Sequence, residues 1–116
     1  GAPAYRVVFQ VSDADQAKWQ MTLNNARNVQ QDLGAANVAI EIVAFGPGIG
    51  MLKSDSPVAA RLDEAIQAGV AAHACQNTMR ALKLDVKDLA PKVTAVSSGA
   101  AAIVKRQAEG WAYIRS

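Results

Sequence analysis

Apolar and polar residues alternate along this chain with two different periods, one typical of strands and one typical of helices. Short apolar runs rich in β-branched residues predict strands at residues 5–11, 38–44, 70–74, 93–96 and 111–114. Asp13 to Leu33 instead repeats apolar residues every three or four positions, which predicts a long helix with Trp19 and Leu23 on its buried face. Asp13 stands three residues before Gln16, the spacing of a capping box, so we expect Asp13 to begin this helix.

Three further helices are predicted between the later strands. One begins at Ser56-Pro57, because serine is a favoured N-cap and proline a favoured first helical residue, and it ends at Gly69. A short helix spans Cys75 to Leu82, and the last helix begins at Ser97-Ser98-Gly99 and ends at Gly110. Strands and helices therefore alternate from end to end. This alternation predicts a single α/β domain over residues 5–116, a three-layer sandwich with a mainly parallel five-stranded sheet flanked by helices.

Composition and charge narrow the classes of partner. The 116 residues suffice for one domain with one core. The net charge of +2 is small and its basic residues are scattered, so we expect no nucleic-acid partner. No apolar run approaches the roughly 20 residues of a membrane span, so we expect no membrane partner. A single cysteine and a single histidine exclude an internal disulfide and a metal site built from these residue types.

The first four residues, Gly1-Ala2-Pro3-Ala4, are small and featureless. They are expected to form a disordered tail left by a tag or by a removed signal peptide. The compartment therefore stays open. The cytoplasm is the default expectation, and the periplasm follows if a signal peptide was removed before Gly1.

The chemistry of the chain is expected where the strands end, because ligands collect at the carboxyl edge of parallel sheets. Four segments follow predicted strands there: residues 12–13, 45–50, 75–78 and 97–99. Cys75 stands where a strand passes into a helix, whose free N–H groups and partial positive charge favour a thiolate. Cys75 is therefore the candidate nucleophile. The alternative is a small buried apolar residue, since free cysteine is often buried.

Other residues near these strand ends are candidates for supporting roles. His73 points to the same side of its strand as Cys75 and is a candidate base, although a histidine packed at a strand end or exposed at a subunit contact is the preferred interpretation. The loop at Gly46 lacks both phosphate-binding fingerprints and is interpreted as a rigid loop that approaches a ligand closely. Serines and amides here can bind an anion or simply cap a helix. The candidate binding residues are Gly46, Pro47, Gly48, Asn77, Thr78, Ser97, Ser98 and Gly99.

Five segments, taken together, form a pattern that covers nearly the whole chain: residues 43–49, 69–78, 89–91, 96–99 and 107–114. In order and spacing, this set resembles the DsrE/DsrF-like family of sulfur-relay proteins. The resemblance implies a compact α/β subunit with a parallel sheet, assembled as a homo-oligomer, a trimer or hexamer. It also implies a persulfide on the matching cysteine, Cys75, and sulfur donor and acceptor proteins as partners. Many relatives have histidine where this chain has Phe45, and this departure removes a possible base.

Two functions are expected from these residues together with the resemblance. The first is a sulfur carrier or sulfurtransferase-like protein that holds sulfane sulfur as a persulfide on Cys75 and passes it to an acceptor thiol. His73 would assist, and no metal or organic cofactor is required. The alternative is a non-catalytic small-ligand-binding or oligomeric assembly subunit of sulfur metabolism, in which Cys75 is incidental. Trp111, Tyr113 and Ile114 would supply a subunit contact in a purely structural role, although core packing explains them as well.

Overall fold

The computed structural model describes residues 2–116, and within this range strands and helices alternate as the sequence predicts. The elements in chain order are β1 (Tyr5–Val11), α1 (Gln16–Leu33), β2 (Val38–Ala44), α2 (Ala59–Gln67), β3 (Ala71–Cys75), α3 (Gln76–Ala81), β4 (Thr94–Val96), α4 (Gly99–Ala108) and β5 (Ala112–Arg115). Short 3-10 helices occur at Ala35–Asn37, Gly46–Leu52 and Val86–Asp88.

The strands form one sheet in the order β4-β3-β2-β1-β5, and every pairing within it is parallel. The chain steps from β1 to β4 in one direction and then returns from β4 to β5 at the opposite edge. Because parallel crossovers are right-handed, this order places α1, α2 and α3 on one face and α4 alone on the other. The predicted α/β sandwich with a five-stranded sheet is confirmed, and its sheet is parallel throughout.

Two apolar clusters of different size lie on the two faces of the sheet. The larger includes Phe9 and Ile42 from the sheet and Leu62 from α2, all fully buried. The smaller lies under α4, and its buried members are Val8, Val43, Ile103 and Trp111. A single helix covers this second face, so polar residues on the same face remain partly accessible. This asymmetry is what leaves room for a functional site beside α4.

The start of α1 differs from the prediction. Asp15, and not Asp13, is the N-cap, because the Asp15 carboxylate accepts hydrogen bonds from the N–H groups of Ala17 and Lys18. Asp13 lies outside the helix and forms an ion pair with Lys18 at 3.0 Å. The prediction was wrong because two aspartates lie within capping distance of the helix. Sequence spacing does not show which of them adopts the extended backbone that an N-cap requires.

Smaller differences affect the boundaries of two other elements. The N-cap residue of α2 is Val58, while the Ser56 hydroxyl accepts a hydrogen bond from the Val58 N–H within the preceding turn. The strand β3 extends to Cys75, so α3 begins one residue later than predicted, at Gln76. Cys75 is therefore both the last residue of a strand and the N-cap residue of a helix.

The ends of the chain and its helices bear on two earlier expectations. Of the predicted disordered tail at residues 1–4, residue 1 lies outside the described residues, and residues 2–4 precede β1 without forming a helix or strand. Disorder of this tail stays a prediction. Among residues 2–116, no helix has both the length and the apolar character needed to cross a membrane.

Gly48 is expected to be essential for the close contact between the Gly46–Leu52 segment and the end of β1. A Cβ at position 48 would lie 2.2 Å from the carbonyl oxygen of Val11, and backbone atoms leave little room for adjustment. We expect Gly48→Ala to lower the free energy of unfolding by about 2 kcal/mol, as overpacking does elsewhere. Gly50→Ala is the matched control, because its Cβ would meet the tip of the Trp19 ring at 3.1 Å. Urea denaturation measures both, and equal losses would contradict the prediction.

Candidate functional site

The carboxyl ends of β2, β3 and β4 bring the candidate residues to one edge of the sheet. Ala44 pairs with Ala74, so the next residues, Phe45 and Cys75, occupy neighbouring positions at the end of β2 and β3. Cys75 in turn pairs with Val96 at the end of β4. Val96 leads directly into Ser97, Ser98 and the start of α4. The segments that the sequence predicts to meet at this edge therefore do so.

The thiol of Cys75 lies below the surface, with the residue only 5% exposed. Burial, the largest influence, raises the pKa of the thiol, but hydrogen bonds to its sulfur have the larger combined effect and lower the pKa below its ordinary value. These bonds come from the backbone N–H groups of Gly99, Thr78 and Asn77 and from the Thr78 hydroxyl. The site therefore favours the thiolate, which is the reactive form of cysteine.

The hydroxyl of Thr78 connects the thiol to the loop after β2. Its oxygen accepts a hydrogen bond from the Gly46 N–H at 2.8 Å. Because this bond occupies the oxygen as an acceptor, the hydroxyl proton is free to point at the sulfur of Cys75. Thr78 and Gly46, both predicted from the sequence as binding residues, thus act on Cys75 together.

Gly99 brings α4 close enough for its N–H to reach the thiol. A Cβ at this position would lie 3.2 Å from the Cβ of Cys75 and 3.1 Å from Cδ1 of Phe45. Such contacts are tighter than ordinary van der Waals packing, so the absence of a side chain matters here. Gly99 therefore packs closely against both Phe45 and Cys75.

The remaining loop residues are placed around this centre. Gly46 has a φ of 55°, in the left-handed region that favours glycine, and Pro47 is exposed in the first turn of the 3-10 helix. Gly48 packs against the backbone of Val11. The side chain of Asn77 is exposed and bonds to Arg80, so its contribution to Cys75 comes through the backbone. Direct contact of these residues with a ligand stays a prediction.

His73 lies on the same face of the sheet as Cys75 but its ring nitrogens face other groups. Nδ1 lies 2.6 Å from the Thr94 hydroxyl oxygen, and Nε2 lies 3.6 Å from a carboxylate oxygen of Glu41. The hydrogen bonds that act on the thiol come from the other groups already described. The role of His73 as a base for Cys75 stays a prediction, while its contacts place it in a polar cluster below α4.

The sequence analysis missed the centre of that cluster, which is Glu41. This carboxylate accepts hydrogen bonds from Arg106 Nε at 3.0 Å and from a second Arg106 nitrogen at 2.6 Å. Burial raises the pKa of Glu41, but the hydrogen bonds and charges of His73 and Arg106 have the larger opposite effect. The net result is a pKa lowered to about 2. A signal was present, since Glu41 is the single charged residue in the otherwise apolar run of β2.

Arg106, in the C-terminal half of α4, joins further residues to the polar cluster. It donates a further hydrogen bond to Glu109 at 2.9 Å, and its guanidinium lies 4.4 Å from the centre of the Trp111 ring. The hydrogen bonds that Arg106 donates to Glu41 and Glu109 raise the pKa of Arg106 above its ordinary value. The guanidinium is therefore a permanent cation whose hydrogen bonds are directed at two carboxylates.

A cleft of about 380 Å³ lies between α4 and the sheet, and residues adjacent to Cys75 in the chain and in the sheet line it, although Cys75 itself does not. His73 and Val96 line it from the sheet, and Ser97 and Ser98 line it at the start of the helix. The Ser98 hydroxyl oxygen caps α4 by accepting from the Ala101 N–H at 3.1 Å. Within residues 2–116, no group of three or more His, Cys, Asp or Glu side chains is placed to hold a metal ion.

The chain resembles known proteins in both sequence and fold. The DsrE/DsrF-like family matches residues 6–115. The chain is similar to the protein of unknown function MTH1491 from Methanobacterium thermoautotrophicum, with 43% identity and a TM-score of 0.92, covering 97% of this chain and 99% of that chain. It also resembles the conserved protein of unknown function BT1422 from Bacteroides thetaiotaomicron, with 15% identity and a TM-score of 0.80, covering 100% of both chains. No curated protein matches the chain.

These comparisons differ in what they show. The family match covers nearly the whole chain and confirms the resemblance predicted from the sequence. At 15% identity, the likeness to BT1422 shows the fold alone. None of these three matches assigns a role to Cys75.

Removing the Thr78 hydroxyl is expected to raise the pKa of the Cys75 thiol. Thr78→Val keeps the shape of the side chain but removes the hydrogen bond to the thiolate, whereas Thr78→Ser keeps the hydroxyl. The ultraviolet absorbance of the thiolate, followed against pH with Cys75→Ser as the blank, measures the pKa directly. We expect a higher pKa in the valine variant and a value near wild type in the serine variant. Identical titrations for wild type and Thr78→Val would contradict this account.

Glu41 is expected to make the fold sensitive to acid. Its pKa is lowered from 4.5 to about 2, so its contribution to stability is complete above pH 4.5 and is lost as the pH falls toward 2. That contribution amounts to about 3 kcal/mol. We expect Glu41→Gln to lower the free energy of unfolding at pH 7 by up to about this amount. The variant should also lose less stability than wild type between pH 4.5 and 2, as measured by urea denaturation.

Glu109→Gln is the control for this experiment, since Glu109 binds the same arginine but its side chain is 53% exposed. We expect this substitution to change stability by less than about 1 kcal/mol. Parallel pH profiles for wild type and Glu41→Gln would show that Glu41 does not carry the acid sensitivity.

Proposed function

Because the chain belongs to the DsrE/DsrF-like family, we propose that it carries sulfane sulfur as a persulfide on Cys75 and passes it to an acceptor thiol. The observation that supports this most directly is the set of hydrogen bonds to the Cys75 sulfur. Three N–H groups and one hydroxyl lower its pKa in spite of burial. Such a thiol is more often a thiolate near neutral pH, and the thiolate is the nucleophile in sulfur exchange.

The transfer needs no external oxidant or reductant. The Cys75 thiolate attacks the outer sulfur of a donor persulfide, R–S–SH, and forms a new S–S bond while the donor's own S–S bond breaks. The donor leaves as a thiolate that takes up the proton, so the products are the Cys75 persulfide and R–SH. An acceptor thiolate then attacks the outer sulfur of Cys75 and releases the Cys75 thiolate.

The same hydrogen bonds serve both halves of this exchange. In the first half, they increase the fraction of Cys75 that is a thiolate and can attack. In the second half, Cys75 is the leaving group, and a thiol of lower pKa leaves faster. A site that stabilises the sulfur anion without a metal therefore suits a carrier, which must both accept sulfur and give it up.

The burial of Cys75 favours a second candidate, a non-catalytic binding or assembly subunit in which the thiol is incidental. A thiol that is 5% exposed is poorly accessible to a large sulfur donor. The cleft beside α4 would then hold a ligand without chemistry, since pockets at strand ends are common binding sites. This candidate predicts that sulfane donors leave Cys75 unmodified.

Intact-mass spectrometry separates these two functions. After incubation of the reduced protein with polysulfide, we expect a gain of one or more sulfur atoms that a reductant reverses. Cys75→Ser should show no gain, because the chain has no other cysteine. Thr78→Val serves as a second variant with the thiol present, and we expect it to gain sulfur more slowly at neutral pH. Wild-type protein that gains no sulfur, with its thiol shown to be reduced, would favour the binding subunit.

A further inference from the structure

We propose that the cleft beside α4 binds a low-molecular-weight persulfide that carries a carboxylate, and that Lys105 recognises this carboxylate. The proposal rests on the proposed carrier function of Cys75 and names the chemical class of its sulfur donor. It concerns a residue, Lys105, to which the sequence analysis gave no role. Three features of the cleft support it: its position, its distribution of charge and its length.

The position of the cleft connects it to the thiol. Val96, in its lining, pairs with Cys75 across the sheet. Ser98, also in the lining, directly precedes Gly99, whose N–H bonds to the Cys75 sulfur. His73, on the floor, lies two residues before Cys75 on the same face of β3. One end of the cleft is therefore formed by residues that flank the thiol.

The distribution of charge leaves one cation available to a ligand. Arg106 bonds to both Glu41 and Glu109, so its hydrogen bonds are directed at these two carboxylates. Lys105, which also lines the cleft, is exposed, and within residues 2–116 it takes part in none of the ion pairs. Glu41 and Glu109 are held by Arg106, which weakens their repulsion of an anion. A carboxylate that enters the cleft would therefore bind at Lys105.

The length of the cleft suits a small donor molecule. Lys105 follows Ser98 by seven residues, which is two helical turns or about 10.5 Å along α4. The flexible lysine side chain reaches back over part of this distance. The remaining span suits a molecule whose carboxylate is a few bonds from its sulfur. The volume of about 380 Å³ lies within the ordinary range of small-molecule sites.

Polar groups at the thiol end complete the recognition. The Ser98 oxygen accepts from Ala101, so its proton is free to donate to a ligand, and Ser97 is exposed beside it. During transfer, the Cys75 thiolate forms a bond to the outer sulfur of the bound persulfide, and the inner sulfur leaves with the bonding electrons. The departing thiolate takes up the proton of the persulfide, while its carboxylate stays at Lys105 until the thiol is released.

A matched pair of sulfur donors tests the proposal. The persulfide of N-acetylcysteine carries one carboxylate, and the persulfide of N-acetylcysteine amide carries none but has nearly the same shape. The rate at which each loads Cys75 is followed by intact-mass spectrometry. We expect the carboxylate donor to load wild-type protein about five times faster, which corresponds to an exposed ion pair. Equal rates for the two donors would overturn the proposal.

Two variants, Lys105→Gln and Lys87→Gln, distinguish a specific contact of the donor with Lys105 from a general effect of the protein's positive charge on the loading rate. We expect Lys105→Gln to lower the rate with the carboxylate donor to that with the amide, and to leave the amide rate unchanged. Lys87 is exposed and lies outside the cleft lining, so Lys87→Gln should change neither rate. A loss in Lys105→Gln that is equal for both donors would also overturn the proposal, because it would show a structural effect.

Two further measurements distinguish failure of this proposal from failure of the carrier function. If polysulfide loads Cys75 but the matched donors load it at equal rates, only the recognition by Lys105 is wrong. If no donor loads Cys75, the carrier function is wrong. Binding is therefore also measured in Cys75→Ser by amide NMR shifts. N-acetylcysteine should shift the backbone N–H signals of Ser98 and Lys105 more than N-acetylcysteine amide does. Equal shifts for the two compounds would count against the cleft as a carboxylate site.

Discussion

The ion pair between Glu41 and Arg106 joins α4 to the middle strand of the sheet, and the other end of the same helix contributes to the thiol site. Glu41 is in β2, the middle strand of the sheet, and the pair joins it to the C-terminal half of α4, the one helix that residues 2–116 place on this face. At the other end of the same helix, Gly99 contacts Cys75 and Phe45. Packing of Ile103 between these ends fills the space above Val8 and Val43. One helix thus carries both the structural contact and a hydrogen bond to the thiolate.

The fold could be predicted from the sequence because its periodic patterns are local. Each strand and helix has its own apolar repeat, and the alternation of elements leaves few possible topologies. The predicted capping by Asp13 failed because the choice between it and Asp15 depends on backbone geometry. The contact between Thr78 and Gly46 could not be predicted, since it joins residues 32 positions apart. The charged Glu41 in an apolar strand indicates that a partner exists. The sequence does not identify this partner as Arg106, because Arg106 lies 65 positions away.

The comparisons with known proteins support the fold but do not assign a function to the site. A chain with only 15% identity adopts the same fold, so the architecture tolerates wide changes in sequence. Function therefore has to be argued from the side chains at the strand ends rather than from the fold. The hydrogen bonds to Cys75 and the charges along α4 are features of this chain's own residues, and they carry the argument for sulfur transfer and for its small donor.

The position of β5 beside β1 has a consequence for folding. Val7 pairs with Ala112, so one edge of β1 stays uncovered until a segment more than 100 residues away has reached it. Contacts between distant parts of a chain form slowly, because a long loop must close first. The helix α4, which supplies the Gly99 N–H to the thiol, leads directly into β5. The groups that act on Cys75 are therefore brought together by the slow, long-range part of folding and not by the local contacts of β3.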